Sequence, residues 1–209
     1  FKRRIPRPKP YAPYTVLHTL SELTKGEANI VTDVGQNQMW TAQYYDFERP
    51  RSLITSGGLG AMGFGMGAAI GAALGKPERK TVLITGDGGF HMSLSELATL
   101  SRYNIPVVVV VMNNGVLGMV RQWQTLFFDK HYSNTVLDRK TDFVALSKAF
   151  GADGERVSSP EELEDALKKT FAYQDGPYVI DCAIDKDEFV LPMLPPGGCM
   201  DDIIVKVDS

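Results

Sequence analysis

Apolar and polar positions along the 209-residue chain follow two different periodicities. Apolar residues spaced three and four apart predict amphipathic helices, and short unbroken apolar runs predict strands that are buried on both faces. The predicted helices span residues 15–25, 36–45, 93–103, 116–128, 141–150 and 160–173. The predicted strands span residues 29–33, 53–56, 80–86, 106–112 and 178–184. Residues 57–75 carry no charge, and the glycines and alanines of 65–75 predict a tightly packed, buried helix.

This alternation predicts an α/β fold in which a parallel sheet is flanked by helices on both faces. The predicted strands lead into Asp33, Asp87 and the pair Asn113-Asn114. Ligands of such sheets bind at the carboxyl ends of the strands. The edge where these polar residues gather is therefore the candidate position of a functional site.

Local signals refine the ends of two predicted helices and one turn. Ser93 and Glu96 have the spacing of a capping box, which predicts a helix start at Ser93. Pro160 is followed by two glutamates, which suits the first turn of a helix. Gly88-Gly89 after Asp87 predicts a turn rather than a helix.

Two glycine-containing motifs compete for the role of a phosphate site. Gly58, Gly60 and Gly63 match the G-x-G-x-x-G fingerprint of dinucleotide-binding domains, and a helix, a strand and Asp87 follow. Alternatively, Asp87 and Asn114 are oxygen donors separated by one helix and one strand, so they fall at neighbouring strand ends. Such donors, together with a diphosphate, suit Mg²⁺. The pairing at this spacing favours the second interpretation, and the first stays open.

Composition and charge exclude several classes of protein. The chain is 44% hydrophobic and 22% charged, which is ordinary for a globular domain. A net charge of -3 gives no electrostatic basis for binding nucleic acid or an anionic membrane. The apolar run 106–112 is far too short to span a bilayer. Two cysteines form neither a disulfide framework nor a zinc site, which favours a reducing, cytosol-like compartment.

The chain is expected to have three parts. Residues 1–14 combine prolines with a basic cluster, which is typical of an extended linker. Because the chain lacks an initiator Met and a signal peptide, we expect this linker to follow an upstream domain of a longer polypeptide. Residues 15–190 are expected to form the α/β domain, and residues 191–209 a mobile tail that folds over the site.

A family resemblance narrows the second interpretation. Gly86-Asp87-Gly88 followed by Asn113-Asn114 is similar to the motif with which thiamine diphosphate (ThDP) enzymes bind their cofactor. Residues 33–40, 56–65, 112–124 and 190–198 closely resemble the catalytic subunit of acetohydroxyacid synthase (acetolactate synthase). The resemblance covers the chain from about residue 14 and implies the ThDP-binding fold of that family's C-terminal third. The pyrimidine-binding and FAD-binding domains of the family have no counterpart here.

The resemblance implies a role for each matching residue. Mg²⁺ would be bound by the side chains of Asp87 and Asn114 and by the backbone carbonyl of Val116. Met119 and Trp123 would line the substrate pocket. No catalytic residue is expected in this chain, because the family's Glu comes from the N-terminal domain of a partner subunit. The cofactor-binding residues would be Gln36, Asn37, Gly60, Met62, Gly86, Asp87, Gly88, Gly89, Asn114, Val116 and Met119.

Three of these positions have further implications. Met62 would be the apolar wedge that bends ThDP, and the carbonyl of Gly60 would meet its amino group. The family usually has His where this chain has Asn37, and Asn can donate to a phosphate but cannot carry a charge.

The resemblance also implies a reaction. Pyruvate would condense with a second 2-oxo acid, pyruvate or 2-oxobutyrate, with loss of CO₂, in branched-chain amino acid biosynthesis. The cofactors would be ThDP and Mg²⁺, with FAD in the central domain of the longer enzyme. The expected partners are a second copy in a homodimer or tetramer and a regulatory small subunit, in the cytoplasm or a plant plastid. The chain alone is expected to hold a half-site without activity.

Three alternatives to this function remain. The chain could belong to another ThDP-dependent carboligase or decarboxylase, to a dinucleotide-binding domain, or to a non-catalytic interaction module with the same fold. A ligand site that requires Mg²⁺ would separate the first from the second, because a dinucleotide at a helix N-terminus needs no metal.

Overall fold

A computed structural model describes residues 11–137, 140–173 and 175–207. The strands are β1 (Asn29–Thr32), β2 (Leu53–Ile54), β3 (Thr81–Gly86), β4 (Val107–Asn113), β5 (Asp153–Val157) and β6 (Tyr178–Ala183). They form a six-stranded sheet in the order β2-β1-β3-β4-β6-β5, and every pairing is parallel. The predicted parallel α/β sheet is confirmed.

The helices connect the strands and cover them. They are α1 (Pro13–Thr24), α2 (Gln36–Tyr44), α3 (Phe64–Gly75), α4 (Asp87–Ser93), α5 (Leu97–Arg102), α6 (Gly118–Phe127), α7 (Phe143–Ala149) and α8 (Pro160–Ala172). Two short 3₁₀ turns span Leu94–Glu96 and Met200–Asp202.

Alternate residues of the strands enter two separate hydrophobic clusters. In β4, Val108 and Val110 belong to one cluster with α1, α2 and α8, whereas Val109 and Val111 belong to another with α3, α5 and α7. Successive strand side chains point to opposite faces of a sheet. The two clusters therefore lie on opposite faces, and the prediction of helices on both faces is confirmed.

The strand order reverses its direction of growth at β1. The chain passes from β1 outward to β2, and then returns to place β3 on the other side of β1, followed by β4. Open α/β sheets bind ligands at such a switch point, outside the carboxyl ends of the strands. The residues after β1 and β3 are therefore placed to form a site.

The region after β3 differs from the sequence-based prediction. The helix starts directly at Asp87, so Gly88-Gly89 is helical rather than a turn. Ser93 makes no side-chain cap, and a 3₁₀ turn separates α4 from α5. Burial of Phe90, whose ring meets Phe143 edge to face at 5.4 Å, outweighs the poor helix propensity of the two glycines.

The helix predicted at 65–75 is present as α3, but only part of it packs tightly. A Cβ on Gly65 would lie 2.6 Å from Leu83 Cδ1, so only glycine fits there. At Gly67, Gly71 and Gly75 a Cβ would meet nothing within 4 Å. The prediction of a fully buried helix is therefore wrong for its outer face.

The edge strand β5 was missed by the apolar-run criterion. Its residues Asp153-Gly154-Glu155-Arg156-Val157 are mostly polar, and it pairs only with β6 in the described part of the chain. An edge strand does not need the apolar run of a central strand.

The final residues make few regular contacts. Met193 and Ile204 form an antiparallel bridge, with each N–H donating to the other's carbonyl at 2.9 Å. The predicted linker falls largely on residues 1–10, which lie outside the described residues. Among the described residues, no helix is long and apolar enough to cross a membrane.

Candidate functional site

A cavity of about 90 Å³ opens at the carboxyl edge of the sheet, at the switch point. Its walls come from the turn after β1, the start of α4 and the turn that leads from β4 into α6. Every predicted cofactor residue except Gly60 lies on its wall, namely Gln36, Asn37, Met62, Gly86, Asp87, Gly88, Gly89, Asn114, Val116 and Met119.

Asp87 and Asn114 come together because β3 and β4 are neighbours in the sheet. Gly86 pairs with Met112 in the parallel register, so both chains leave the sheet side by side. Asp87 is 5% exposed and opens α4, where the helix dipole favours a carboxylate. The amide of Asn114 is held by its neighbours, since Oδ1 accepts from Val116 N at 3.2 Å and Nδ2 donates to Gln36 Oε1 at 3.4 Å.

Glycines allow the walls of the cavity to approach one another closely. A Cβ on Gly88 would lie 3.0 Å from Leu117 Cδ2 and 3.4 Å from Met62 Cε. A Cβ on Gly118 would overlap Gln36 Oε1. Any larger residue at these two positions would push the walls apart or fill the cavity.

Gln36 and Asn37, the first residues of α2, line the cavity, and both are buried. Gln36 Nε2 donates to Gln122 Oε1 and to the carbonyl of Glu188, each at 2.9 Å. Asn37 Nδ2 donates to the carbonyl of Val34 at 3.2 Å, whereas Asn37 Oδ1 is buried and accepts no hydrogen bond within the described part of the chain. This amide has hydrogen-bonding capacity that a bound ligand or its water could use.

Met62 and Gly60 lie on the segment between β2 and α3. Met62 reaches the cavity, and its methyl group faces Gly88. Gly60 lies outside the cavity wall, and its N–H donates to Ser56 Oγ at 3.1 Å. Its φ of +66° is a left-handed conformation that favours glycine.

Met119 and Trp123 meet at a second, wider groove. This groove of about 550 Å³ is lined by residues of α6 and the loop after it, and Met119 and Val120 line both the groove and the cavity. Trp123 is 39% exposed, and its ring meets Phe127 edge to face at 5.6 Å. Met119 and Trp123, the two predicted pocket residues, therefore meet in the groove. Met119 also lines the cavity, whereas Trp123 does not.

Two buried polar residues support the site and were missed as such by sequence reasoning. Gln122 is 0% exposed and links α6 to Gln36 and to Val190. Asp33, which follows the first strand, accepts from Val34 N and also from Gly63 N and Gly65 N. A polar residue at a buried helical position is the signal that could have drawn attention to Gln122.

A third buried polar group lies behind the turn after β4. Burial raises the pKa of Asp181, while a hydrogen bond from Asn113 Nδ2 at 2.9 Å and the charge of Arg156 act in the opposite direction. The Asn113 contact holds the residue next to Asn114. In the described ranges, no three His, Cys, Asp or Glu side chains form a cluster that could hold a metal ion.

The same geometry argues against the dinucleotide interpretation of Gly58, Gly60 and Gly63. That interpretation needs the free N–H groups at the start of α3 to bind a pyrophosphate. The carboxylate of Asp33 already accepts from Gly63 N and Gly65 N at that position. A buried anion on these amides leaves no site for a second one.

The cavity fits a metal-bound diphosphate in its donor chemistry. Asp87, Asn114 and the carbonyl of Val116 supply oxygens, which are the ligands that Mg²⁺ prefers. The two glycines after Asp87 expose backbone N–H groups at the start of α4. The Asn37 side chain, whose Oδ1 has unused hydrogen-bonding capacity, also lines the cavity.

Comparison with known proteins places the chain among the ThDP enzymes. The family model described as "Thiamine pyrophosphate enzyme, C-terminal TPP binding domain" matches residues 33–182. The chain belongs to this family. Thiamine pyrophosphate is another name for ThDP. The matched region runs from Asp33 at the end of β1 to Cys182 in β6.

Similar proteins are acetolactate synthase large subunits. The chain is 46% identical to that of Lactococcus lactis, over 92% of the chain and 33% of the relative. It is 46% identical to the probable large subunit of Methanocaldococcus jannaschii, over 90% of the chain and 32% of the relative. It is 44% identical to the large subunit of isozyme 2 of Escherichia coli, over 94% and 36%. The chain thus spans about a third of the length of the curated relatives it matches.

Proposed function

We propose that the chain is the ThDP-binding part of an acetolactate synthase large subunit and that its cavity holds the Mg²⁺-bound diphosphate of the cofactor. The observation that carries the proposal is the meeting of Asp87 and Asn114 beside Gly88 and Gly89 at the switch point of the sheet. The similarity to acetolactate synthase large subunits supports it.

Each residue has a definite part in this proposal. Asp87, Asn114 and the carbonyl of Val116 would bind Mg²⁺, and the backbone N–H groups of Gly88 and Gly89 would bind phosphate oxygens. The Gln36 side chain orients Asn114 through the 3.4 Å hydrogen bond. Holding these groups in place before the ligand arrives lowers the entropic cost of binding.

The reaction proposed is the condensation of two 2-oxo acids with loss of CO₂. Bound ThDP would supply the electron sink for the loss of CO₂, and the carbon that then attacks in the condensation comes from the first 2-oxo acid. Met119 and Trp123, on the groove beside the cavity, would contact the second 2-oxo acid, pyruvate or 2-oxobutyrate. Apolar walls around this groove would exclude water from the reacting carbon.

Catalysis requires a carboxylate near the cofactor pyrimidine, which we propose comes from another domain of a partner subunit. The chain by itself is then expected to bind ligand without forming acetolactate. Acetolactate formation by the isolated chain with ThDP, Mg²⁺ and pyruvate would contradict this point. The FAD and the regulatory small subunit stay predictions, to be tested by the absorption spectrum and by co-purification of a full-length enzyme.

The outer face of α3 supports the proposal of a homodimer or tetramer. Gly67, Gly71 and Gly75 leave open space on this helix, and Leu74 beside them is exposed. An uncharged face of small residues suits close packing against another subunit. Static light scattering is expected to give at least twice the mass of one chain, and a monomer at high concentration would contradict the proposal.

The test of cofactor binding is thermal unfolding of the chain with ThDP, with and without Mg²⁺. Ligand at a hundred times its Kd stabilises the folded state by about 2.7 kcal/mol, which corresponds to a Tm increase of roughly 5 to 10 °C for a chain of this size. Asp87→Asn is expected to lose the Mg²⁺-dependent increase. Asp153→Asn is the matched control, because Asp153 starts β5 at the opposite edge of the sheet.

The outcomes separate the candidate functions. A Mg²⁺-dependent increase that Asp87→Asn removes and Asp153→Asn keeps would support the proposal. An increase with NAD that needs no metal would instead support the dinucleotide interpretation. No increase with ThDP and Mg²⁺ would contradict the proposed site.

A further inference from the structure

Asp33 is a buried carboxylate that lies behind the cavity wall and touches three segments of the chain. It is 1% exposed and is not among the residues that line the cavity. Its oxygens accept from Val34 N at 2.8 Å, from Gly63 N at 3.0 Å and from Gly65 N at 2.9 Å. The first of these amides belongs to the turn after β1, and the other two belong to the start of α3.

These contacts make Asp33 a cap that α3 lacks within its own sequence. The residue before the helix is Gly63, which has φ of +89° and no side chain to satisfy the first N–H groups. The four N-terminal N–H groups of a helix need partners, and a negative charge there is favourable. Asp33, which directly follows β1, supplies both the hydrogen-bond acceptors and the negative charge, so it fixes the position of α3 relative to β1.

The third contact is with α4. A Cβ on Gly89 would overlap Asp33 Oδ1 and lie 2.8 Å from Asp33 Cγ. The carboxylate therefore packs directly against the backbone of the segment that would bind the diphosphate. Asp33 is the shared contact of the segment carrying Gly60 and Met62 and the segment carrying Gly88 and Gly89.

We propose that Asp33 is a positioning residue that sets the segment 57–65 against α4, so that the chain distinguishes whole ThDP from its diphosphate part. The inference rests on the proposed function. Met62 and Gly60 lie on the segment that Asp33 fixes, whereas the side chain of Asn114 is held by Gln36 and by Val116 N. Loss of the Asp33 charge should therefore affect the binding of the organic part of the cofactor more than that of the diphosphate.

Asp33→Asn is the sharpest substitution because it keeps the volume that packs against Gly89. It removes the charge and turns one of the two acceptors into a donor that faces a backbone N–H. The matched control is Asp142→Asn, since Asp142 also caps a helix by accepting from Val144 N at 3.0 Å and Ala145 N at 2.9 Å. Asp142 does not line the cavity.

The experiment is calorimetric titration of the wild-type chain and both variants with ThDP and with inorganic diphosphate, each in the presence of Mg²⁺. We expect Asp33→Asn to raise the Kd of ThDP about tenfold, which corresponds to about 1.4 kcal/mol, and to leave the Kd of inorganic diphosphate within twofold. Asp142→Asn is expected to change neither. Equal weakening of both ligands by Asp33→Asn, or no weakening, would overturn the inference.

Failure of the underlying function is recognised separately. A wild-type chain that binds no ThDP contradicts the proposed function itself, whereas a wild-type chain that binds ThDP while Asp33→Asn binds it equally well contradicts only the role of Asp33. Should Asp33→Asn fail to fold, amide hydrogen exchange of the wild-type chain gives the answer. The N–H groups of Gly63 and Gly65 should gain protection with ThDP and not with inorganic diphosphate, and the opposite pattern would overturn the inference.

Discussion

Replacing Gln122 with leucine should destabilise the fold although the two side chains have similar size. Gln122 is 0% exposed, and its amide makes four hydrogen bonds. Nε2 donates to Val190 O at 3.0 Å and to Met193 Sδ at 3.2 Å, and Oε1 accepts from Gln36 Nε2 at 2.9 Å and from Val190 N at 2.8 Å. Leucine removes all four and keeps the buried partners in place.

The magnitude follows from the groups that lose their partner. Gln36 Nε2 keeps its bond to Glu188 O, so the orphaned groups are the N–H and the carbonyl of Val190, which is fully buried. An orphaned buried polar group costs about 1 to 3 kcal/mol, so the two cost roughly 2 to 6 kcal/mol. The added apolar burial of leucine returns about 1.5 to 3 kcal/mol. We expect a net loss of about 2 kcal/mol.

The assay is urea unfolding followed by circular dichroism, with Gln124→Leu as the control. Gln124 is on the same helix, and its exposed amide bonds the backbone of Ser133, where water can take over both contacts. Surface changes of this kind alter stability by about 0.5 kcal/mol or less. Midpoints at equal slope give the two free energies of unfolding. Equal stability of the two variants would refute the argument that the buried amide network stabilises the fold.

Three further predictions concern local packing, capping and charge. Gly65→Ala should destabilise the protein, because its Cβ would lie 2.6 Å from Leu83 Cδ1, and thermal unfolding of the variant measures the loss. Ser159→Ala removes an N-cap and should lower the free energy of unfolding by about 1 kcal/mol in the urea assay. Burial raises the pKa of Asp181, so its ionisation disfavours the folded state. The stability of Asp181→Asn relative to wild type should therefore increase as the pH rises from about 4 to 7, and a constant difference would show that the charge has no cost.

Central elements of the fold could be predicted from the sequence because their apolar patterns are dictated by burial on two faces. Val107–Asn113 is a central strand, and its consecutive buried valines predict it. Strand β5 could not be predicted in this way, because an edge strand with residues such as Glu155 and Arg156 has no such apolar pattern. Helix α4 was not predicted, because its stability comes from the tertiary burial of Phe90 rather than from local helix propensity.

The candidate site was predictable to the extent that it depends on topology. Asp87 and Asn114 are one crossover apart, and a parallel sheet must bring such positions to one edge. The roles of Asp33 and Gln122 depend on partners 30 and 68 residues away, and no local pattern encodes those contacts. Side chains whose partners lie on other elements become visible only when the packing is known.

The bonds of Gln36 and Gln122 also set an order for the assembly of the molecule. The hydrogen bond from Gln36 to the carbonyl of Glu188 joins residues that are 152 positions apart in the chain. The bond from Gln122 to Val190 joins residues that are 68 positions apart. During synthesis on the ribosome, these particular hydrogen bonds can form only after β6 and the segment that follows it have emerged. The wall of the cavity would thus close as one of the final steps of folding, after the sheet that supports it.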